Sequence, residues 1–148
     1  MKNLNSEKEL KSNEINFELI TLTKPVHSVY DVQIACNCTA SEVIKTLVFI
    51  GSHPILVVLP GDKMADINKI KNFTGEKELR MAKPAEVLEL TGYGVGAVSP
   101  FGINSNFKQI ADKSIFDIPF LFLGSGESNI LIKMSKDEFL KAFRGDFI

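Results

Sequence analysis

The chain has no tryptophan, two histidines and two cysteines among its 148 residues. Each scarcity removes a class of chemistry. His27 stands before a predicted helix and His53 in a predicted turn, so no paired histidines and carboxylates mark a metal site. No G-x-S-x-G elbow is present to begin a Ser-His-Asp triad. Cys36 and Cys38 are one residue apart, a spacing poorly suited to a disulfide and different from the C-x-x-C of metal and redox pairs. They read as reduced, half-buried residues of a cytoplasmic protein. There is no excess of either charge: 17 basic residues face 18 acidic ones, for a net charge of -1 and a pI near 6.1. A domain that grips nucleic acid over a broad face is usually basic. One that touches only a short end of such a molecule needs just a few donors. No apolar run approaches the ~20 residues of a membrane span, and Met1 to Asn16 is charged, without the apolar core of a secretory signal.

What is present is ordinary for a globular domain: 45% apolar and 24% charged residues. The length suits a single domain over 1–148, with residues 1–16 forming a peripheral polar helix or arm. Phe17–Leu22 alternates as a strand. His27–Cys36 reads as a helix with Ser28 as N-cap. Val43–Ile50 and Ile55–Leu59 flank Gly51-Ser52-His53-Pro54 as a hairpin. Ala65–Phe73 carries apolar residues at helical spacing, Glu78–Ala82 is a short strand, and Pro84–Leu90 is a helix with proline in its first turn. Phe107–Ala111, Phe120–Leu123 and Ile130–Met134 read as strands. Ser135 and Glu138 form a capping-box pattern before a last helix. Hairpins outnumber βαβ units, so the fold class is α+β, a mixed, largely antiparallel curved sheet or barrel flanked by helices.

Four segments attract attention. Lys45 lies in the apolar strand Val43–Ile50, sharing a face with Val43, Leu47 and Phe49. Such a lysine either reaches water along a sheet edge or lines a pocket, where it would meet a carbonyl or phosphate oxygen. Thr91–Gly102 has glycine at 92, 94, 96 and 102. By itself it is a turn-rich connection, the least compact-looking stretch of the chain. It can equally present backbone amides to an anion. It matches neither a Walker A loop nor a dinucleotide-binding fingerprint. Gly124-Ser125-Gly126 is a hairpin turn on its own, and Asp112 an acid at a strand end.

Taken in order, these segments resemble the YbaK/ProX family of trans-editing deacylases, relatives of the editing domain inserted in bacterial prolyl-tRNA synthetases. The resemblance is carried by Val43-Ile44-Lys45-Thr46-Leu47-Val48-Phe49, Leu56 through Asp62, Ala82-Lys83-Pro84-Ala85-Glu86-Val87, Thr91-Gly92-Tyr93 through Gly102, Ala111 through Ile115, and Leu123-Gly124-Ser125-Gly126. It covers residues 26–143, most of the chain. It implies hydrolysis of the ester of a mischarged aminoacyl-tRNA, most naturally tRNA for proline carrying a small wrong amino acid such as Ala or Cys. The catalytic set it implies is Lys45 with the amides of Gly96 and Ala97. The substrate-binding set is Thr46, Ser99, Pro100, Phe101, Gly102, Asp112, Gly124, Ser125 and Gly126. No metal or cofactor is implied. The expected partner is the aminoacylated 3′ end of a tRNA, with an aminoacyl-tRNA synthetase helping delivery. The competing expectation is a non-catalytic module that binds an aminoacyl or nucleotide ligand beside a synthetase.

Overall fold

Long apolar runs without alternation belong to strands buried on both faces, and the centre of the chain follows that rule. In the computed structural model, which describes residues 4–103 and 106–148, β2 (Val43–Ile50) and β3 (Pro54–Pro60) form the expected hairpin, with Lys45 opposite Leu59 and Leu47 opposite Val57. Residues Ile55 to Pro60 of β3 are all buried. Before the hairpin lie α1 (Asn5–Ser12), β1 (Glu18–Thr21) and α2 (Val29–Cys36). After it come α3 (Ile67–Thr74), β4 (Arg80–Met81), α4 (Pro84–Thr91), β5 (Lys108–Ala111), β6 (Phe120–Gly124), β7 (Ile130–Ser135), α5 (Lys136–Ala142) and β8 (Asp146–Phe147). The first three residues of the arm expected over 1–16 lie outside the described residues.

The helices start where local chemistry says they should. The Ser28 hydroxyl accepts from Asp31 N–H at 3.1 Å, and the Ser135 hydroxyl from Glu138 N–H at 3.2 Å. The capping box expected at Ser135 is only half formed. The Glu138 carboxylate accepts instead from Asn16 N–H at 2.8 Å and meets Lys141 Nζ at 2.7 Å. It thereby ties the N-terminal segment to α5, a choice that depends on a neighbour 122 residues away.

The strands form one sheet in the order β1-β7-β6-β2-β3-β5-β8, with β4 also paired to β2. Four pairings are antiparallel: β1–β7, β2–β3, β2–β4 and β6–β7. Three are parallel: β2–β6, β3–β5 and β5–β8. The sheet is thus α+β and mixed as expected, but more parallel than hairpin counting suggests. The long connection from β3 to β5, carrying α3 and α4, brings the chain back in the same direction, and strand patterns do not encode that.

The largest apolar cluster lies under β2, β3, β6 and β7 and takes in Leu10 of α1, which is 1% exposed. The abundance of phenylalanine finds its place here. Phe139 stacks on Phe143 with centroids 5.3 Å apart and meets Phe101 and Phe147 edge-on. Such ring pairs contribute about 0.5–1.5 kcal/mol each beyond their buried area. A second cluster, Val26, Val32, Val43, Phe122 and Leu131, joins α2 to the other face of the sheet.

Candidate functional site

Strands β2 and β6 run side by side for only two residues, Val43 with Phe122 and Ile44 with Leu123. Beyond them the strands part, and β2 gains a new neighbour only at Phe49, opposite Met81 of β4. A cavity of about 290 Å³ is lined by the freed stretch of β2, close to the lower end of the range for small-molecule sites. Its walls include Lys45, Thr46 and Val48 of β2, Phe122 and Gly124 of β6, Val29 and Val32 of α2, Ala82 before α4 and Val87 within it, and Gly96 and Val98 of the glycine-rich loop.

That loop is built into the protein rather than laid over it. Tyr93 and residues 97–101 are buried while Gly92 and residues 94–96 are exposed, so the expectation of a loosely packed stretch is corrected for the second half of the loop and holds at its tip. Thr91 Oγ1 donates to Val87 O at 2.7 Å and accepts from Tyr93 N–H at 3.0 Å. The Tyr93 hydroxyl donates to Phe101 O at 2.7 Å, and burial pushes its pKa up to about 12. Gly126 N–H donates to Ala97 O at 2.8 Å. At Gly124 a Cβ would collide with the carbonyl oxygen of Val98, so only glycine lets β6 pass this close to the loop. Gly96 has φ 88°, a left-handed conformation that holds the loop's tip over the backbone of His27.

The expected site residues therefore separate into two groups. Lys45, Thr46, Gly96 and Gly124 line the cavity together. The remainder do not line it. Ala97 N–H already donates to Gly94 O at 3.1 Å, so the amide pair expected for an oxyanion reduces to Gly96, whose N–H has no acceptor among the described residues. Ser99 is fully buried and accepts from Phe101 N–H at 3.2 Å. Pro100 is buried, Phe101 sits in the core against Phe139, and Gly102 lies against the backbone of Asn5 and Ser6 in α1. Ser125 donates to Ile130 O at 2.6 Å, its own carbonyl accepts from Ser6 at 2.6 Å, and Gly126 backs onto the Tyr93 ring. These residues hold the loop in place. Asp112 lines a different depression, with Leu59, Lys63 and Ile148, and its carboxylate accepts from Ser114 N–H at 2.8 Å as the cap of a 3-10 turn.

Sequence reasoning missed one wall altogether. Val26, His27 and Ser28, with Val29 and Val32 of α2, close the side facing Gly96. The only local signal there is the cap: His27 N–H donates to Asp31 at 3.0 Å while Ser28 accepts from Asp31 N–H, which identifies a helix start and not a cavity. An ion pair joins the two elements, β4 and α4, that supply Met81 and Val87 to the lining. Arg80 of β4 grips Glu86 of α4 through two bonds of 2.8 and 2.9 Å, and these hold the Glu86 carboxyl at about 2.

The electrostatics are simple. Among the described residues, Lys45 is the one lysine or arginine lining the cavity, no carboxylate lines it, and Lys45 forms no ion pair. Thr46 Oγ1 is buried without a hydrogen-bond partner among the described residues. Cys36 and Cys38 are free and half-buried behind the α2 wall, and burial raises both thiols above their ordinary value. A cation, an open amide and a lone hydroxyl in an apolar pocket suit a substrate with a carbonyl oxygen that gains negative charge during reaction.

Comparison with known proteins points the same way. The family model described as "Aminoacyl-tRNA editing domain" matches residues 23–142. Proline--tRNA ligase of Thermosipho melanesiensis is 32% identical over 108 residues, 72% of this chain and 19% of the ligase. The ligase of Bacillus cereus is 33% identical over 110 residues, again 19% of its length. The chain thus spans about a fifth of these relatives. A crystal structure of a hypothetical protein superposes with TM-score 0.90 and 29% identity, covering 97% of both chains. Another, described as a candidate trans-editing enzyme for prolyl tRNA synthetase, gives TM-score 0.89 at 23% identity over 97% of this chain and 92% of that one.

Proposed function

The chain belongs to the aminoacyl-tRNA editing domain family, and from that membership we propose that it is a deacylase that hydrolyses, in trans, the ester of tRNA for proline carrying a small wrong amino acid such as Ala or Cys. The observation that carries the reading is the meeting of Lys45 with the Gly96 loop around one cavity of about 290 Å³.

The chemistry asks little of the protein. An aminoacyl ester is already activated. Water adds to the acyl carbon, the ester C–O bond breaks, and the departing ribose oxygen takes a proton. Negative charge builds on the carbonyl oxygen, where the Gly96 amide donates. One such donor is worth about 2.7–4 kcal/mol in other hydrolases. Lys45 anchors the tRNA end or the amino acid's carboxyl side from across the gap. The free ribose hydroxyl of the terminal adenosine orients the water, which is why the site needs no Ser-His-Asp triad. Val29, Val32, Val43 and Leu131 form a dry wall for a small side chain. Such a wall separates substrates differing by one methylene by only about 1–3 kcal/mol, so selectivity rests on fit.

With a net charge of -1, the protein's own grip on the tRNA body is weak, and a synthetase partner supplies the rest. On this reading the protein works in the cytoplasm, where aminoacyl-tRNA is made. No helix among the described residues is long and apolar enough to cross a membrane.

The test is a panel of tRNA for proline charged with Ala, Cys, Ser or Pro, incubated with the protein and with Lys45→Ala. Loss of one mischarged ester, abolished in the variant, is the expected outcome. A folded protein that leaves all four esters intact would sink the reading.

A further inference from the structure

The middle of β2 is a strand edge with no strand on it. Residues 45–48 lie between the last pair with β6, at Ile44 and Leu123, and the first pair with β4, at Phe49 and Met81. In an antiparallel ladder, backbone groups of alternate residues point to opposite edges. The Val43 carbonyl accepts from Gly61 N–H at 2.7 Å on the β3 side, and the Val48 carbonyl from Ala82 N–H at 2.9 Å on the outer side. Thr46 shares the parity of Val48, so its N–H and C=O both face the gap. Its hydroxyl is a third polar group: Oγ1 is buried and unpartnered among the described residues. All three belong to a residue that lines the cavity.

An aminoacyl ester carries an α-ammonium into that cavity. Lys45 repels it, and among the described residues no carboxylate lines the walls to neutralise it. Resting on the deacylase reading, we propose that Thr46 is the α-ammonium receptor: its carbonyl and hydroxyl oxygens accept from the substrate's ammonium. The aminoacyl group then lies along the bare edge of β2 as an added strand would. Its side chain turns to the valine wall, and its carbonyl is left to Gly96 and Lys45. The site therefore reads the free amino group of its substrate, and an N-acylated aminoacyl group is excluded.

The probe is the non-hydrolysable amide 3′-alanylamido-3′-deoxyadenosine, with its N-acetyl derivative. Binding is measured calorimetrically on the wild type, Thr46→Val and Thr46→Ser, with aminoacyl-tRNA hydrolysis and Tm followed alongside. Hydrogen bonds to a charged group imply that N-acetylation and Thr46→Val each weaken binding about 10-fold or more. Thr46→Ser keeps near wild-type binding. Thr46→Val also raises Tm by about 2–4 °C, because it removes a buried hydroxyl that has no partner; a merely structural threonine would lower it. Equal binding of the N-acetyl probe, undiminished binding by Thr46→Val, or no binding by the wild type overturns the inference. A wild type that binds in this Thr46-dependent way yet hydrolyses no aminoacyl-tRNA supports it and retires the deacylase reading. Hydrolysis that persists with Thr46-independent binding does the reverse.

Discussion

Two depressions on this molecule differ in how many polar groups they hold and in what those groups are doing. The one beside Asp112 holds Lys63, Lys69, Asp66 and Asp112 around an apolar floor of Val57, Leu59 and Ile110. Its acids are already engaged: Asp112 caps the 3-10 turn through Ser114 N–H, and Asp66 caps α3 through Lys69 N–H at 3.1 Å. The cavity at the β2–β6 gap holds fewer polar groups, yet among the described residues Lys45 forms no ion pair, Gly96 N–H has no acceptor and Thr46 Oγ1 has no partner. A polar group satisfied within a few residues of itself builds structure. One left without a protein partner beside a cavity is available to a ligand. The contrast teaches that the charge count of a pocket is a poor guide, and the count of unused donors and acceptors a better one.

The sharpest way to break that contrast is to remove the unused cation. Lys45→Ala is expected to lower the deacylation rate by about 10²–10³-fold with Tm nearly unchanged, since the side chain has no ion-pair partner to lose. A large drop in Tm would mean that Lys45 is structural after all. The next effect concerns what holds the active loop. Gly124→Ala puts a methyl group against the Val98 carbonyl oxygen. Overpacking of this kind costs about 1–3 kcal/mol, so thermal unfolding should shift down by several degrees with hydrolysis falling alongside. A variant as stable as the wild type would show that the loop can move without cost.

Asp112→Ala probes the other depression. It removes a turn cap, which costs about 0.5–2 kcal/mol of stability, and should leave kcat/KM for the aminoacyl-tRNA unaltered. A selective loss of activity would return Asp112 to the site. The smallest effect is a pH dependence. Glu86 is held at about 2 by Arg80 and the Lys83 N–H, below its ordinary value of 4.5. A carboxylate with a depressed pKa contributes stability that is complete above 4.5 and lost as the pH falls toward 2. Glu86→Gln should therefore flatten the acid limb of the Tm curve in that window and change little at neutral pH. An identical acid limb in the variant would show that the pair adds nothing at the surface.

Much of this was legible before any coordinates. The β2–β3 hairpin follows from two apolar runs around Gly51–Pro54, and the starts of α2 and α5 from Ser28 and Ser135, because those signals act over a few residues. Lys45 stands out in its strand for the same reason. The rest was out of reach. The glycine-rich loop looks open in one dimension, yet the Tyr93 hydroxyl, the Gly126 amide and the close pass of Gly124 pack its second half into the core and leave residues 94–96 at the surface. Ser99, Phe101 and Ser125 are ligand contacts only by what the family resemblance implies. Their side chains turn to the loop's own backbone and to Phe139 instead.

What the sequence determined by itself, then, is the set of elements and the exceptional lysine, since alternation, helical spacing and caps are settled between near neighbours. The tertiary structure alone decided that β2 and β6 run parallel and part after two residues, that the start of α2 closes the gap, and that Thr46 is left with a buried hydroxyl unpaired among the described residues. Those outcomes depend on which distant strand lies alongside, and whether a polar group is satisfied can be known only once that neighbour is in place.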